Sequence, residues 1–389
     1  MIGYRLTSKN KYSISKLYPL TKGNLFNNLD ELIYELKESE KEKNKSNCFK
    51  IVNSKDIIIY SFMSLQKSIV LQELNILRKN FKNIVLIAGG PHASGAPEDT
   101  LKMGFDYVII GEGEISLPDL VNKIENNQKI ENRIIKGVPI DSFEGYDKIY
   151  PLAPIEITRG CPYNCRFCQT PQIFGKNIRH RKIDDIVKIV KNMKDIRFVT
   201  PNALSYGSKY ATKPNLEKLE ELLKKLSEFK ERLFLGTFPS EVRPEFINEE
   251  TLNLILTYCD NKYLHFGAQS GCDEMLKYIR RGHTVNDVLN AIDLCKKNKL
   301  MPKVDFIFGF PNETIENRLK SIELMKYIIK KNGTVHAHYF MPLPGTYFEK
   351  EKPTELDKET IKILGSMAKK GQISGSWSHQ YDSTKKINK

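Results

Sequence analysis

Three cysteines lie close together in the middle of the chain. Cys161, Cys165 and Cys168 occur in the segment ITRGCPYNCRFCQTPQIFG, separated by three and then by two residues. Soft thiolates at such short spacing favour an iron–sulfur cluster, copper(I) or zinc. A structural zinc ion usually takes four ligands from two pairs of spaced residues, and the sequence offers no second pair. Three thiolates on a four-iron cluster leave one iron without a protein ligand, which is the arrangement that catalysis at the cluster requires.

The other soft ligands of the sequence are less suited to such a site. Cys259 and Cys295 follow apolar residues at helical spacing and are therefore predicted to be core residues. Cys48 and Cys272 stand alone in the sequence. His180, which follows the cysteine segment, is an alternative fourth ligand, although isolated histidines are more often structural.

Composition restricts the class of protein. The chain has 389 residues, 40% of them hydrophobic, and no apolar stretch approaches the length of a membrane span. Seven cysteines, an odd number, and an N-terminus without an apolar signal segment lead us to expect a cytoplasmic protein. The excess of 61 basic over 47 acidic residues comes mostly from Lys scattered among Glu, a pattern typical of a solvated surface. This pattern does not favour nucleic-acid binding, which stays an open alternative together with an anionic substrate.

The first 140 residues alternate short apolar strands with amphipathic helices. Predicted strands are Gly3–Leu6, Asp56–Tyr60, Ile84–Ala88 and Tyr107–Ile110. Predicted helices lie near 25–42, 65–79, 97–103 and 115–126. Helices between strands indicate crossovers and a parallel sheet, so we predict an α/β, Rossmann-like or flavodoxin-like domain over residues 1–140. A linker is predicted at 141–153.

The rest of the chain continues with strands and helices in alternation. Six strands are predicted at Pro154–Thr158, Ile196–Thr200, Leu233–Thr237, Tyr263–Ala268, Lys303–Phe308 and Val335–Phe340. They predict a partial (β/α)6 barrel of the TIM type over residues 154–348, with the three cysteines at its catalytic mouth. Residues 349–389 are expected to hold one helix, near 355–370, and then to fray, which would leave Trp377 and His379 in solvent.

The segment CPYNCRFC resembles the CxxxCxxC signature of radical S-adenosylmethionine (SAM) enzymes, including Phe167 beside the last cysteine. The resemblance implies a [4Fe-4S] cluster on Cys161, Cys165 and Cys168, with SAM bound to the open iron and cleaved to a 5′-deoxyadenosyl radical. It also implies an electron donor such as ferredoxin or flavodoxin.

Further segments of the barrel resemble the same family. They are FGAQSG at 266–271, LKYIRRGHT at 276–284, DFIFGFPNET at 305–314 and HYFMPLPGTYF at 338–348. By this resemblance, the residues that bind SAM are Phe167, Asn202, Gln269, Ser270, Arg281, Gly309 and Glu313. One departure is that Thr200-Pro201-Asn202-Ala203 replaces the Gly-Gly-Glu stretch that holds the amino group of SAM in this family. Asn202 or backbone carbonyl groups are therefore expected to contact this amino group.

The segment at 84–121 resembles the cobalamin-binding domain that precedes many radical SAM barrels. By this resemblance, the cobalamin-binding residues are Ser61, Ser64, Gly89, Gly90, His92, Gly111, Glu112 and Gly113. The Asp-x-His-x-x-Gly string that supplies a histidine to cobalt does not occur, which implies base-off cobalamin without a protein histidine ligand. The alternative is a domain that has lost its cofactor.

Together these features favour a cobalamin-dependent radical SAM enzyme that transfers a methyl group to an unactivated carbon of an unknown substrate. A methylthiotransferase is the second hypothesis, although such enzymes carry a second cluster on three N-terminal cysteines and this chain has only Cys48 there. A third hypothesis is a non-enzymatic iron–sulfur or zinc module for binding or electron transfer.

Overall fold

The computed structural model describes residues 1–46, 54–140, 154–191 and 193–387. The chain divides into two compact units. The first consists of Met1–Ala153, Gln172–Phe174 and Leu343–Gly345, and the second of Pro154–Pro171, Gly175–Pro342 and Thr346–Lys389. The predicted linker at 141–153 lies outside the described residues. Among the described helices, none is both long and apolar enough to cross a membrane.

A six-stranded sheet forms the centre of the first unit, and all of its strand pairs are parallel. The strands, in spatial order, are β2 (Asn24–Phe26), β1 (Ile2–Arg5), β3 (Asp56–Ser61), β4 (Ile84–Gly89), β5 (Tyr107–Ile110) and β6 (Ile134–Lys136). The helices are α1 (Lys11–Thr21), α2 (Leu29–Lys45), α3 (Lys67–Asn80), α4 (Gly90–Gly95), α5 (Pro97–Lys102) and α6 (Ser116–Glu125).

Both faces of this sheet are covered by apolar side chains. Ile58 and Leu86 belong to a buried cluster on one face, and Ile57 and Val85 belong to the cluster on the other. This alternation follows from the two-residue period of a strand, and burial on both faces explains the uninterrupted apolar runs in the sequence. The four predicted strands are confirmed, whereas α1, β2 and β6 were not predicted. Helix α1 has no side-chain cap and contains Pro19, so its sequence carries few helix signals.

The described part of the second unit contains ten strands, several of them only two residues long. They are β7 (Ile155–Glu156), β8 (Thr158–Arg159), β9 (Arg179–His180), β10 (Asp195–Ile196), β11 (Phe198–Val199), β12 (Arg232–Leu233), β13 (Tyr263–Gln269), β14 (Met301–Phe308), β15 (Thr334–Tyr339) and β16 (Ile373–Ser374). The helices after residue 153 are α7 (Thr170–Phe174), α8 (Ile183–Val190), α9 (Leu216–Ser227), α10 (Glu249–Tyr258), α11 (Asp273–Tyr278), α12 (Val285–Lys297), α13 (Ile315–Lys330), α14 (Lys358–Lys369) and α15 (Trp377–Ile387).

Parallel neighbours follow the order of the chain, as in a partial barrel. Strand β7 pairs with β11, β10 with β12, and β13, β14, β15 and β16 form one sheet. Backbone hydrogen bonds from Phe234 N to Ile196 O and from His265 N to Gly236 O join the pieces. The third strand is shorter than predicted because Gly236, with a φ of 68°, turns the backbone out of the extended conformation.

The C-terminal segment is ordered, so the prediction of one helix followed by a fraying tail is wrong. After α14 the chain adds β16 to the edge of β15 and then forms α15. Trp377 and Tyr381 are buried, and the side chain of Gln380 accepts a hydrogen bond from the backbone N–H of Tyr339. Pairing of the otherwise open β15 edge and burial of two aromatic rings account for this order. His379 is exposed, as expected.

Candidate functional site

The loop that follows β8 carries the three cysteines. Cys165 is buried, and Cys161 and Cys168 are half-buried. Gly160, with a φ of 87°, lies before the first cysteine, and a Cβ atom there would come within 2.1 Å of the backbone oxygen of Asn177. The N–H of Cys161 donates to the Gly175 oxygen, and the N–H of Cys168 donates to the Cys165 oxygen. The backbone therefore fixes where the loop begins and how it turns at its last two thiols.

A cavity of about 100 Å³ lies beside the thiols. The cysteines line it together with Tyr163, Phe167, Asn202, Arg243 and Arg281. Phe167, Asn202 and Arg281 are thus the predicted SAM-binding residues that the fold brings to the cysteines. Gln269, Ser270, Gly309 and Glu313 do not line this cavity.

Burial makes two of the thiols resist ionisation. Burial raises the pKa of Cys161 to about 11 and also raises the pKa of Cys168. Three thiols that line one cavity are the donor set that an iron–sulfur cluster or another thiophilic metal requires, because such metals bind thiolates and displace the protons. The residues present therefore fit a three-cysteine cluster.

Arg281 places a guanidinium against this site. Its Nη1 atom lies 3.9 Å from the Cys165 sulfur, and its Nη2 atom donates to the Gly267 oxygen at 3.3 Å. Arg280 and Gly282 on either side have φ values of 54° and 81°, so a tight turn directs the side chain. The Nε atom is buried and has no hydrogen-bond partner among the residues that the structure describes. A buried, unpaired guanidinium donor beside a cavity is suited to a carboxylate ligand.

Arg243 and Tyr163 line the cavity, although neither was among the predicted site residues. The guanidinium carbon of Arg243 lies 3.4 Å from the centre of the Tyr163 ring, its Nε donates to Glu245 Oε1 at 2.5 Å, and its Nη2 donates to the Arg281 oxygen. Arg243 thus connects the cysteine loop to the Arg281 turn. Its place after the third predicted strand, at the mouth of a barrel, was the available signal.

Asn202 stands where the Gly-Gly-Glu stretch is expected. Its one side-chain atom without a hydrogen bond to a described residue is the donor Nδ2. Its Oδ1 accepts from the Arg243 N–H at 3.2 Å, whereas its buried Nδ2 has no hydrogen-bond partner. A donor suits the carboxylate of SAM, while the amino group would need the second lone pair of Oδ1. The predicted contact with the amino group stays a prediction.

Gln269 is the last residue of β13, and Ser270 directly follows the strand. The backbone is left-handed at Gln269. Gln269 has a φ of 70°, and a Cβ atom at Gly267 would lie 2.0 Å from its side-chain nitrogen, so the glycine leaves room for this amide. Ser270 is fully buried, and its hydroxyl accepts from the Cys272 N–H at the start of α11. Ser270 therefore supports the turn, and its predicted contact with SAM stays a prediction.

Gly309 and Glu313 belong to a turn after β14 that is held by hydrogen bonds to the Glu313 carboxylate. Glu313 Oε2 accepts from the Gly309 N–H at 2.6 Å and from Arg318 Nε at 3.0 Å. Gly309 has a φ of 80°, and a Cβ atom there would come within 2.2 Å of the Tyr339 ring. The motif thus shapes the end of the strand, which is compatible with a backbone pocket for a ligand.

The remaining candidate ligands of the second unit are occupied or distant. His180 is bonded through Nδ1 to the Thr158 hydroxyl and through Nε2 to the Ser208 oxygen, at 3.0 and 2.9 Å. Cys295 is fully buried, as predicted, and Cys259 is half-buried at the end of α10. Cys48 lies outside the described residues.

In the first unit, the predicted cobalamin-binding residues gather at the carboxyl ends of β3, β4 and β5. Ser61 is paired in register with Gly89, and Gly111 directly follows β5. No side chain larger than serine occupies these three positions, and a Cβ atom at Gly89 would have only the Tyr60 oxygen nearby, at 4.0 Å. Strand ends without bulky side chains fit the approach of a large planar cofactor.

The other predicted residues of this group make bonds within the unit. Gly90, with a φ of 88°, begins helix α4, so the predicted GGPH turn is the start of a helix. His92 is buried, and its Nδ1 and Nε2 lie 3.0 Å from the Ser64 hydroxyl and 3.1 Å from Asp99 Oδ2. Both ring nitrogens are therefore engaged, which is consistent with the expectation that His92 is not a ligand of cobalt.

The turn after β5 is anchored to the chain that follows β6. Glu112 is buried, and its Oε2 accepts from the Ile140 N–H at 3.1 Å. The Gly113 oxygen accepts from Leu117 N at the start of α6. These bonds hold the backbone of the turn at the strand ends.

Comparisons with known proteins agree with this geometry. Residues 155–325 match the model of the radical SAM superfamily, and residues 49–121 match that of the B12 binding domain. The chain is 33% identical over 310 residues to the methylthiotransferase-like protein MJ0865 of Methanocaldococcus jannaschii, over 72% of this chain but only 65% of that relative. It is 27% identical to a tRNA-2-methylthio-N(6)-dimethylallyladenosine synthase of Thermosipho melanesiensis, over 82% of this chain and 75% of the relative.

Solved structures share the fold of this chain. The radical SAM methyltransferase TsrM of Kitasatospora setae matches with a TM-score of 0.65 at 15% identity, over 90% of this chain and 75% of its own. The cobalamin-dependent SAM radical enzyme OxsB matches with a TM-score of 0.61 at 14% identity, over 83% of this chain and 51% of its own. At such low identity these likenesses establish the fold alone, and the predicted fold is confirmed. The chain thus carries a B12-binding domain followed by a radical SAM domain.

Proposed function

We propose that this protein is a cobalamin-dependent radical SAM enzyme that transfers a methyl group to an unactivated carbon of its substrate. The observation that carries the proposal is the cavity in which Cys161, Cys165 and Cys168 meet Arg281, in a chain that also matches a B12-binding domain. Family membership implies the [4Fe-4S] cluster and SAM; the methyl transfer, the base-off state of cobalamin and an external electron donor are proposals.

The protein would hold the reactants by three sets of contacts. The three cysteines would hold the cluster, and Arg281 would pair with the carboxylate of SAM through Nε, which has no hydrogen-bond partner among the described residues. Asn202 Nδ2 supplies a second donor to the same cavity. Arg243 and Tyr163 keep the loop and the Arg281 turn together. The cluster and cobalamin, when bound, supply the one-electron cleavage of SAM and the methyl carrier, respectively.

The first experiment follows products and cofactors in one sample. The chain is purified anaerobically with cobalamin available and analysed for iron, sulfide and corrin, with about four irons per chain expected. Turnover with reductant and SAM is expected to release 5′-deoxyadenosine, and S-adenosylhomocysteine as well when a substrate accepts the methyl group. Deoxyadenosine alone, with no corrin bound after loading, would contradict methyl transfer but leave radical chemistry intact.

A matched pair of variants assigns the chemistry to the cavity. Cys165→Ala is expected to lose the cluster and all deoxyadenosine formation. Cys259→Ala, which removes a half-buried thiol at the end of α10, is expected to keep both. Equal activity of the two variants would contradict the assignment.

Methylthio transfer is the second candidate function, and the relatives from M. jannaschii and T. melanesiensis favour it. It needs a second cluster, and the sequence before Cys161 contains only Cys48. An iron content of about eight per chain would support this alternative over methyl transfer.

A further inference from the structure

A second group of metal-ligand side chains lies inside the second unit, and none of its members lines the cysteine cavity. His265 on β13, Asp305 on β14, and His336 and His338 on β15 meet across three neighbouring strands. His265 Nε2 lies 2.7 Å and His336 Nδ1 lies 3.4 Å from the same oxygen, Asp305 Oδ1. His338 Nε2 is 3.2 Å from His336 Nδ1. Two of the seven histidines of the chain therefore contact one carboxylate oxygen, and a third contacts His336.

The separations suit a common metal ion. Metal bonds from imidazole nitrogen and carboxylate oxygen are roughly 2.0–2.2 Å long, so ligand atoms in a tetrahedral site lie about 3.4 Å apart. The ligand atoms of His265, Asp305 and His336 all lie within 4.8 Å of one another. Small side-chain rotations would bring them to bonding distance.

The placement of histidine and aspartate side chains in the interior of the second unit favours a bound cation. Interiors of barrels of this type are normally filled by branched aliphatic side chains. Here the alternate positions of the same strands, Leu264, Val304 and Val335, are apolar and buried, as packing requires. The half-buried carboxyl group of Glu241 lies close enough to Asp305 for their charges to interact. Two neighbouring carboxylates that are withdrawn from water are costly without a compensating charge, which a divalent cation would provide.

We infer that His265, Asp305 and His336 bind a divalent transition-metal ion, with His338 available as a fourth ligand. Imidazole and carboxylate ligands suit zinc, iron(II) or manganese(II) better than copper(I). None of the four residues lines the cysteine cavity, so this site does not depend on the proposed function. With three protein ligands it keeps an open position for an oxygen or nitrogen atom of a substrate.

The proposed metal site lies beside the residue of β13 that Arg281 contacts. Asp305 is paired in register with Gly267, whose backbone oxygen accepts from Arg281. A substrate held by the metal ion would therefore lie in the same barrel as the arginine proposed to bind SAM.

The test uses cobalt(II) in a full-length chain that cannot hold the cluster. Cys161→Ala, Cys165→Ala and Cys168→Ala are combined, bound metal is removed with a chelator, and the chain is titrated with Co²⁺. We expect one Co²⁺ per chain, with visible ligand-field bands, no sulfur-to-cobalt charge-transfer band, and displacement by Zn²⁺. Asp305→Asn and His336→Ala should each weaken binding by at least about tenfold. His379→Ala, which removes an exposed histidine, should leave it unchanged.

Two controls keep the result decisive. Circular dichroism shows whether the buried Asp305→Asn variant folds, and the partly exposed His336→Ala variant carries the comparison if it does not. A second measurement uses the cluster-loaded chain and determines the metal content in excess of sulfide, because the cluster itself contains iron and sulfide in equal numbers. This excess is compared between His336→Ala and His379→Ala. Absence of Co²⁺ binding, or equal binding by His336→Ala and His379→Ala, would overturn the inference.

Discussion

The guanidinium of Arg281 contacts the thiol of Cys165, with 3.9 Å between Nη1 and Sγ. These residues lie 116 positions apart in the chain. One arginine thus faces both a cysteine proposed to bind iron and the cavity proposed for SAM. Its unpaired Nε leaves a charged donor for a ligand.

Replacement of Arg281 by Lys is expected to weaken SAM binding while the cluster is retained. Lysine keeps the charge but cannot donate two parallel hydrogen bonds to a carboxylate. Loss of about 1.5–3 kcal/mol corresponds to a dissociation constant raised roughly 10- to 100-fold. The dissociation constant is measured by equilibrium binding of SAM to the cluster-loaded chain, and the iron content shows whether the cluster is retained. Arg280→Lys, an exposed neighbour, is the control, and equal affinity of the two variants would contradict the role of Arg281.

Replacement of Gly309 by Ala is expected to destabilise the second unit. The residue has a φ of 80°, and the new methyl group would overlap the Tyr339 ring. Such backbone strain alone costs about 1–3 kcal/mol, so the midpoint of thermal unfolding should fall by several degrees. In Gly365→Ala, the matched change in helix α14, the new methyl group meets nothing within 4 Å, and the midpoint should stay the same or rise. An unchanged midpoint for Gly309→Ala would show that the turn relaxes without cost.

His283 is expected to make stability depend on pH. Burial and the nearby guanidinium groups of Arg281 and Arg243 lower its pKa to about 2 in the folded chain. The unfolded chain, with an ordinary histidine pKa, binds the proton first, so stability is full above about pH 6.5 and falls as the pH drops below it. The loss is about 1.4 kcal/mol per pH unit.

The measurement compares the free energy of urea unfolding for the cluster-free wild type and His283→Gln between pH 7.5 and pH 5. Glutamine keeps a donor for the Ala268 oxygen, which accepts from His283 Nε2 at 3.2 Å, but does not titrate. The wild type should lose more stability on acidification than the variant. Parallel curves would show that His283 takes up its proton without unfolding.

Local patterns explain what the sequence could predict. Four of the six described strands of the first unit were predicted within one residue at each end because runs such as DIIIY are apolar on both faces and end at small polar residues. The three cysteines lie within eight residues, so their spacing alone indicated a metal site. Both signals need no knowledge of the tertiary fold.

Contacts between distant segments explain what it could not predict. Arg243 joins the site through a ring in the cysteine loop and a carbonyl of the Arg281 turn. His265 and Asp305 are 40 residues apart and meet only because their strands are neighbours. Trp377 is buried in a tail whose polar sequence indicated solvent. In each case the fold of the second unit brings the contacting residues together. No periodicity in the local sequence indicates such a contact.

The central claim is that SAM binds directly at a cluster held by Cys161, Cys165 and Cys168. Electron paramagnetic resonance of the anaerobically reduced chain, with and without SAM, tests it most directly. We predict a cluster signal whose shape changes when SAM is added, and no cluster signal in Cys165→Ala. A spectrum that SAM leaves unchanged would contradict the claim and favour an iron–sulfur module without SAM chemistry.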